Sequence, residues 1–264
     1  MDYTAPEKAR DASLLHADKS YESNEFEDLI YLISHDVRNS VRALIELPQW
    51  IAEDLAQAGV KLEGSVAESI ELMNTHTGRL DRMLVDLLTF SRVGRMQDLT
   101  EIEVDVALSE VLEEMRIPQG FTVTADLCDN TLFLGERDAF TLLTHLVSNA
   151  IKHHDKGSGE ITITVKRNVD GTVLQVADDG PGILPQYREK VFSAMTTLRP
   201  RDEVEGSGMG LTIVRKIALC YGGGVTLSEG ADGRGTTVEI QLPEKGAVTA
   251  AMLSHRRTTR SKGH

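Results

Sequence analysis

The sequence predicts an α+β protein in two parts, an N-terminal helical hairpin followed by an α/β sandwich. Three observations carry that expectation. Residues 24–94 hold apolar residues in alternating steps of three and four, with no strand-like alternation. From about residue 100 onward, short segments alternate apolar and polar residues as half-buried strands do. Helical stretches lie among them without a regular strand–helix–strand order, which favours a sandwich over a doubly wound sheet.

The first helix is read from Phe26, Ile30, Ile33, Val37, Ser40, Leu44, Leu47 and Ile51, whose spacings run 4-3-4-3-4-3-4. That is the seam of a coiled coil or four-helix bundle. Gly59 and Gly64 interrupt it, and Val66, Ile70, Met73, Thr77, Leu80, Leu84, Leu87 and Ser91 repeat the rhythm. Two such helices joined by a short loop make a hairpin. One hairpin cannot bury a seam on both sides, so a second copy completing a four-helix bundle is expected. Pro48 removes a backbone donor and is expected to bend the first helix.

Strands are expected at FTVTADL (121–127), EITITVKRN (160–168), TVLQVADDG (172–180), GVTLSEG (224–230) and TTVEIQLP (236–243). Glu136–His153 and Met209–Tyr221 have helical spacing. Residues 1–23 read as a flexible leader, 95–101 as a hinge and 246–264 as a basic, disordered tail.

Composition narrows the function. A net charge of −13 argues against nucleic-acid binding, which normally shows a basic footprint. No run approaches the roughly 18 apolar residues that cross a bilayer, and the N-terminus lacks a signal-peptide core. Cys128 and Cys220 stand alone, without the spacing of a disulfide framework or zinc site. A soluble protein of a reducing cytoplasm is expected, with no membrane insertion.

Four local patterns could carry chemistry. SHDVRNSVRAL (34–44) places His35 at the heptad position farthest from the seam, with Asn39 on its face and Asp36 beside it. Asp178-Asp179-Gly180-Pro181-Gly182 follows a strand, which suits a turn or a carboxylate beside a flat ligand. Gly206-Ser207-Gly208-Met209-Gly210-Leu211 opens a helix, where free N–H groups favour an anion; a flexible hinge is the alternative. It is not a Walker A loop, because no Lys-Ser/Thr follows it. HLVSNAIKHHD (145–155) offers Asn149, Lys152 and His153 on neighbouring helix faces, an ordinary polar face or a set suited to Mg²⁺ and phosphate.

Taken in order, SHDVRN, NAIKHH, DDGPG, GSGMGL and GRGTT (233–237) resemble the motifs of sensor histidine kinases over about residues 24–243. The resemblance implies a dimerisation and histidine-phosphotransfer domain at 24–94 and, at 102–245, an ATP-binding sandwich of the Bergerat or GHKL type shared with gyrase and Hsp90. It implies that His35 is phosphorylated, that Asp36 orients or deprotonates it, and that Asn39 assists dephosphorylation of a partner regulator. It assigns Asn149 to Mg²⁺ and Lys152 and His153 to the phosphates. Asp178 would accept from adenine. Gly180, Gly182, Gly206, Gly208, Gly210, Leu211 and Thr236 would line the nucleotide, and Phe192 falls at the family's F-box.

The implied substrate and cofactor are ATP and Mg²⁺, and the implied partners a second copy and a response regulator receiver domain. The implied activity is autophosphorylation of His35 with transfer to a regulator Asp, together with phosphatase activity. Two departures stand out: His145 where the family often has Asn or an acid, and Ser40 in place of proline. No sensor domain is expected before residue 24, and the signal is expected to come from a separate input protein or through the bundle and leader directly. The rival readings are a phosphotransfer or scaffold protein with a weakened ATP domain, and an ATPase or serine kinase of the same nucleotide fold.

Overall fold

The computed structural model describes the backbone of residues 6–200, 203–230 and 233–260, with side chains described between 28 and 252 of these. Helix α1 spans Pro6–Gln57, 52 residues. At 1.5 Å per residue it is about 78 Å long. It ends ahead of Gly59 (φ 73°), and α2 spans Ser65–Arg92 after Gly64 (φ 60°). The two glycines supply the left-handed conformations that turn the chain between antiparallel helices.

α1 differs from expectation at its start. Residues 6–23, read as a leader, continue the helix, since nothing between Pro6 and Pro48 breaks it; residues 1–5 lie outside the described residues. α1 also runs through Pro48. Its buried residues are Ser34, Val41 and Pro48, spaced seven apart, and α2 buries Leu84, Leu88 and Ser91. Ile33, Val37, Leu44, Leu47 and Ile51 remain between 38% and 53% exposed. On α1 the predicted seam therefore lies beside the buried stripe and faces solvent in a single chain, whereas on α2 the seam residues Leu84 and Ser91 are buried.

Past α2 the chain is tied down rather than loose. Gly94 N–H donates to Asp138 Oδ2 at 2.7 Å, and Arg137 Nη2 donates to the carbonyls of Arg92 (2.6 Å) and Arg95 (2.8 Å). Lys216 Nζ donates to the Phe90 carbonyl at 2.7 Å. The segment expected as a hinge at 95–101 then enters strand β1 (Leu99–Glu103). These contacts anchor the end of α2 just ahead of residues 96–98, which belong to no helix or strand and lie within the expected hinge.

The rest forms a two-layer sandwich. Helix α3 spans Val104–Met115, β2 Phe121–Leu127, β3 Thr131–Gly135 and α4 Glu136–Lys152. β4 spans Gly159–Asn168, β5 Gly171–Asp178, α5 Gly210–Cys220, β6 Gly224–Glu229, β7 Thr236–Pro243 and α6 Lys245–Arg260. β1 pairs antiparallel with β3, and five strands form a sheet in the order β2-β4-β5-β7-β6, antiparallel except for β2–β4.

Period-two alternation sends Ile161, Ile163 and Val165 of β4 and Leu174 of β5 into the core, all fully buried. Leu142, Leu143 and Val147 of α4 and Ile213, Val214 and Ile217 of α5 are fully buried in the same core, the apolar stripes of amphipathic helices. Both helices thereby have fixed positions against the sheet, and their ends frame the site described below. The tail expected to be disordered from 246 instead begins as α6, because Val248 and Met252 are buried in that core; residues 261–264 lie outside the described residues. Among the described residues, no helix is long and apolar enough to cross a membrane.

Candidate functional site

His35 stands on the exposed side of α1, its side chain 58% accessible. Its Nδ1 is 3.2 Å from Asp36 Oδ1, and the Tyr31 ring stacks near it with centroids 6.3 Å apart. Asn39, one turn on, is exposed. Two contacts fix the register of the hairpin around it. Arg38 Nε donates to Asp81 Oδ1 at 3.2 Å, and the Arg92 guanidinium lies 5.4 Å from the Tyr31 ring centroid. His35 therefore sits opposite the stretch of α2 between Asp81 and Arg92. A carboxylate accepts only, so Asp36 favours the tautomer with the proton on Nδ1 and leaves Nε2 with its lone pair.

In the sandwich, the end of β5 and the start of β7 bring Asp178, Gly180, Gly182 and Thr236 together. Asp178 Oδ1 accepts from Gly180 N–H at 2.9 Å and Thr236 N–H at 3.2 Å. Both bonds fall on one oxygen, so Oδ2 can accept from a ligand. Desolvation raises the Asp178 carboxyl above its ordinary range, against the pull of the two backbone bonds. Gly182 (φ 77°) explains why this turn is closely packed: a Cβ there would lie 2.9 Å from the Gly235 carbonyl oxygen.

The turn is braced by residues that the sequence patterns did not single out. His154 is buried, and its Nε2 donates to Asp179 Oδ1 at 3.0 Å while its Nδ1 accepts from Lys156 N–H at 3.0 Å. Phe121 meets the same ring edge-on, with centroids 5.4 Å apart. Asp179 Oδ1 also accepts from Glu160 N–H at 2.7 Å, and that bond, followed by His154, holds its carboxyl below the usual range. Arg234, within GRGTT, donates to the Asp179 carbonyl at 2.8 Å and to Asp155 at 2.7 Å. His154 thus acts on the site indirectly, by fixing the backbone that presents Asp178.

The other end of the site lies where α4 passes the N-terminus of α5. A Cβ on Gly210 would be 3.3 Å from both side-chain amide atoms of Asn149 and 3.4 Å from His145 Nδ1. Asn149, His145 and the first turn of α5 are therefore neighbours, while Lys152 and His153 are exposed at the end of α4. Burial pushes the His145 imidazole below its usual pKa; Lys152 adds to this and Asp86 opposes it. His153 is also lowered, by partial desolvation and then by Arg199 and Lys152. Both rings are thereby shifted toward the neutral form.

The loop that opens α5 reaches this helix end through Gly206, Gly208 and Gly210, with Leu211 half-buried behind them. At Gly208 (φ 78°) a Cβ would stand 2.7 Å from the Met195 carbonyl carbon and 2.8 Å from Thr196 N, so only glycine fits. Thr212 Oγ1 donates to the Phe192 carbonyl at 3.1 Å, which ties the F-box turn to α5. Ser207 is buried; it donates to Asp86 of α2 and accepts from Met209 N–H at 3.0 Å. Glu205 pairs with Arg82, one turn before Asp86. Sequence reading missed these hairpin residues, because a contact spanning 121 positions leaves no local signal.

The site thus divides into an exposed imidazole on the hairpin, a carboxylate turn at the β5 end, and a glycine loop with Asn149 at a helix N-terminus. Among the described residues, no group of three or more His, Cys, Asp or Glu could hold a metal. A hard cation would rest on Asn149 Oδ1 together with ligand oxygens, which suits Mg²⁺.

Residues 135–246 match the histidine kinase-, DNA gyrase B-, and HSP90-like ATPase family. The chain is 30% identical over 243 residues to cyanobacterial phytochrome A of a Nostoc strain, covering 89% of this chain and 30% of that protein. It is 32% identical over 228 residues to the methanogenesis regulatory histidine kinase FilI of Methanothrix harundinacea, covering 83% and 25% respectively. The chain spans between 25% and 38% of the length of such curated relatives. Its fold is that of full-length ShkA in complex with AMPPNP (TM-score 0.61, 21% identity, 82% of this chain and 45% of that one). It is likewise that of ThkA in complex with the response regulator TrrA (TM-score 0.58, 20% identity, 92% and 68%). On these grounds the chain carries, behind its helical hairpin, an ATPase domain of the histidine kinase, gyrase B and HSP90 family, and over most of its length it is similar to sensor histidine kinases.

Proposed function

We propose that this chain is an ATP-dependent protein-histidine kinase that phosphorylates His35 and passes the phosphoryl group to an Asp of a response regulator receiver domain. The observation that carries the reading is His35 itself. It is exposed, with Nδ1 directed to Asp36, on a hairpin packed against a domain of a nucleotide-binding family. One relative of the same fold binds AMPPNP and another a response regulator, which supports both halves of the reading.

In this reading each residue takes a role that the geometry supports. Asp178 Oδ2 accepts from the adenine amino group, and Gly182, against Gly235, leaves backbone free to approach a flat base. Asn149 holds Mg²⁺, which when bound offsets charge on the triphosphate. Lys152 adds a mobile cation at the same end. His35 Nε2 attacks the γ-phosphorus; an N–P bond forms, the bond to the bridging oxygen breaks, and ADP leaves. Asp36 meanwhile stabilises the positive charge that develops on the ring through Nδ1–H. Phosphoryl transfer depends chiefly on positioning and charge neutralisation, so the site needs little further chemistry from the protein.

A second copy of the hairpin completes the bundle along the exposed seam. Asn39, one turn from His35, positions water for dephosphorylating the regulator. Asn39→Ala is expected to reduce phosphatase activity several-fold while autophosphorylation persists, measured as loss of label from a phosphorylated receiver domain; equal loss of both activities would contradict that role.

The test is to incubate the chain with γ-³²P-labelled ATP and Mg²⁺, then add a panel of receiver domains. Label on the chain should be acid-labile and alkali-stable, and should move to at least one receiver. Acid-stable label only, or none, would overturn the reading.

A further inference from the structure

The glycine loop is gripped from outside its own domain. Ser207, only 5% exposed, donates its hydroxyl to Asp86 Oδ2, and Glu205 pairs with Arg82. Arg82 and Asp86 are four residues apart on α2, hence on one helix face. Asp86 also lies near enough to His145 to interact electrostatically with it, and His145 neighbours Asn149 and Gly210. A carboxylate of the hairpin thus stands at the phosphate end of the nucleotide site proposed above. It also sits in the α2 stretch opposite His35, between Asp81 and Arg92.

Two anions do not share such a place without cost, because a partly buried carboxylate and a triphosphate repel. Ser207 adds a geometric conflict, since its hydroxyl is committed to Asp86 and to Met209 N–H beside the first turn of α5. The geometry points to an autoinhibitory clamp: Asp86 and Arg82 hold the glycine loop on α2 in a docked state that competes with nucleotide triphosphate. This rests on the nucleotide reading of the site. Linkage makes the competition reciprocal, so ATP weakens the docking and frees the domain to bring its phosphate to His35.

The test uses the full chain, calorimetric titration with AMPPNP and Mg²⁺, and amide hydrogen exchange of residues 203–209 without nucleotide. Asp86→Asn is expected to tighten AMPPNP binding by about 5-fold or more, and Arg82→Ala by about 2-fold, as befits an exposed ion pair. Exchange of the loop should accelerate in both. The two variants separate a clamp from a simple charge effect: removing an anion near the phosphates tightens binding in either case, whereas removing the Arg82 cation tightens it only if a clamp is released. Unchanged exchange in both variants, or weaker binding by Arg82→Ala, overturns the clamp. A parent chain that binds no AMPPNP overturns the nucleotide reading instead, and the competition with it.

Discussion

In the sandwich, Ile161, Ile163 and Val165 of β4 are fully buried, whereas in the hairpin Ile33 is 53%, Leu44 48% and Ile51 44% exposed. The two regions are comparable in apolar patterning but not in self-sufficiency. The sheet and the helices packed on it close a core within one chain. The hairpin buries one stripe against its own second helix and leaves an adjacent stripe, continued on α2 by Val66, Met73 and Leu80, facing water. A strand pattern names both faces of one sheet; a heptad pattern does not say which of two partners it will meet.

The sharpest way to break this comparison is to charge the open stripe. Leu44→Glu is expected to shift the chain from dimer to monomer at micromolar concentration in analytical ultracentrifugation. Each buried leucine contributes roughly 1.5–3 kcal/mol and a two-fold interface loses it twice. The unfolding transition of the sandwich should stay in place. An unchanged dimer would show that the stripe has another use.

Next in size is Asp178→Asn, expected to weaken ATP binding by about tenfold or more, the loss of a charge-assisted hydrogen bond. Its effect on stability should run the other way. Burial raises the Asp178 carboxyl, so the folded state binds this proton more tightly than the unfolded chain does. That contribution to stability is complete below the ordinary carboxylate value and is lost as pH rises through the raised one. At neutral pH the ionised group gives no such support, and Asn keeps an oxygen for Gly180 and Thr236. The thermal midpoint at pH 7 should therefore equal or exceed the parent's, while the parent alone gains on mild acidification. A large fall in midpoint would mean that Asp178 is structural.

A smaller effect is expected at the junction of the two regions. Tyr221 is fully buried; its hydroxyl donates to Asp138 Oδ2 at 2.8 Å and accepts from Gly135 N–H at 3.1 Å. Asp138 in turn holds Gly94, where the hairpin joins the sandwich. Tyr221→Phe leaves the Gly135 N–H without this acceptor, at a cost of about 1–3 kcal/mol in urea unfolding. A cost near zero would imply that the network adjusts around the lost hydroxyl.

The same contrast explains what could be read from the sequence. Strands β4, β5 and β7 announce themselves by alternation, and α4 and α5 by helical period, because each answers to one neighbouring layer. Helix α3 was also legible in principle, since Val104, Leu108 and Val111 stand at i, i+4 and i+7 and are all buried. β1 and β3 were not: each has five residues, and their pairing of Leu99 with Gly135 is a long-range event. The glycine motifs located the site because backbone approach demands glycine locally. His154, Asp86 and Ser207 escaped notice because their partners come from distant segments, as did the anchoring of the end of α2 by Arg137, Asp138 and Lys216 of α4 and α5. In the sequence SHDVRN reads as a histidine turned away from the seam with Asp36 beside it; in the structure it is an exposed imidazole with its carboxylate in place.

The central claim is that His35, and no other histidine, is the phosphoryl acceptor. The direct measurement compares acid-labile ³²P incorporation from ATP in the parent chain, His35→Gln and His145→Gln, with AMPPNP binding measured alongside. The account predicts that His35→Gln abolishes the label while binding AMPPNP as the parent does, and that label in His145→Gln remains on His35. Acid-labile label that survives His35→Gln would contradict it.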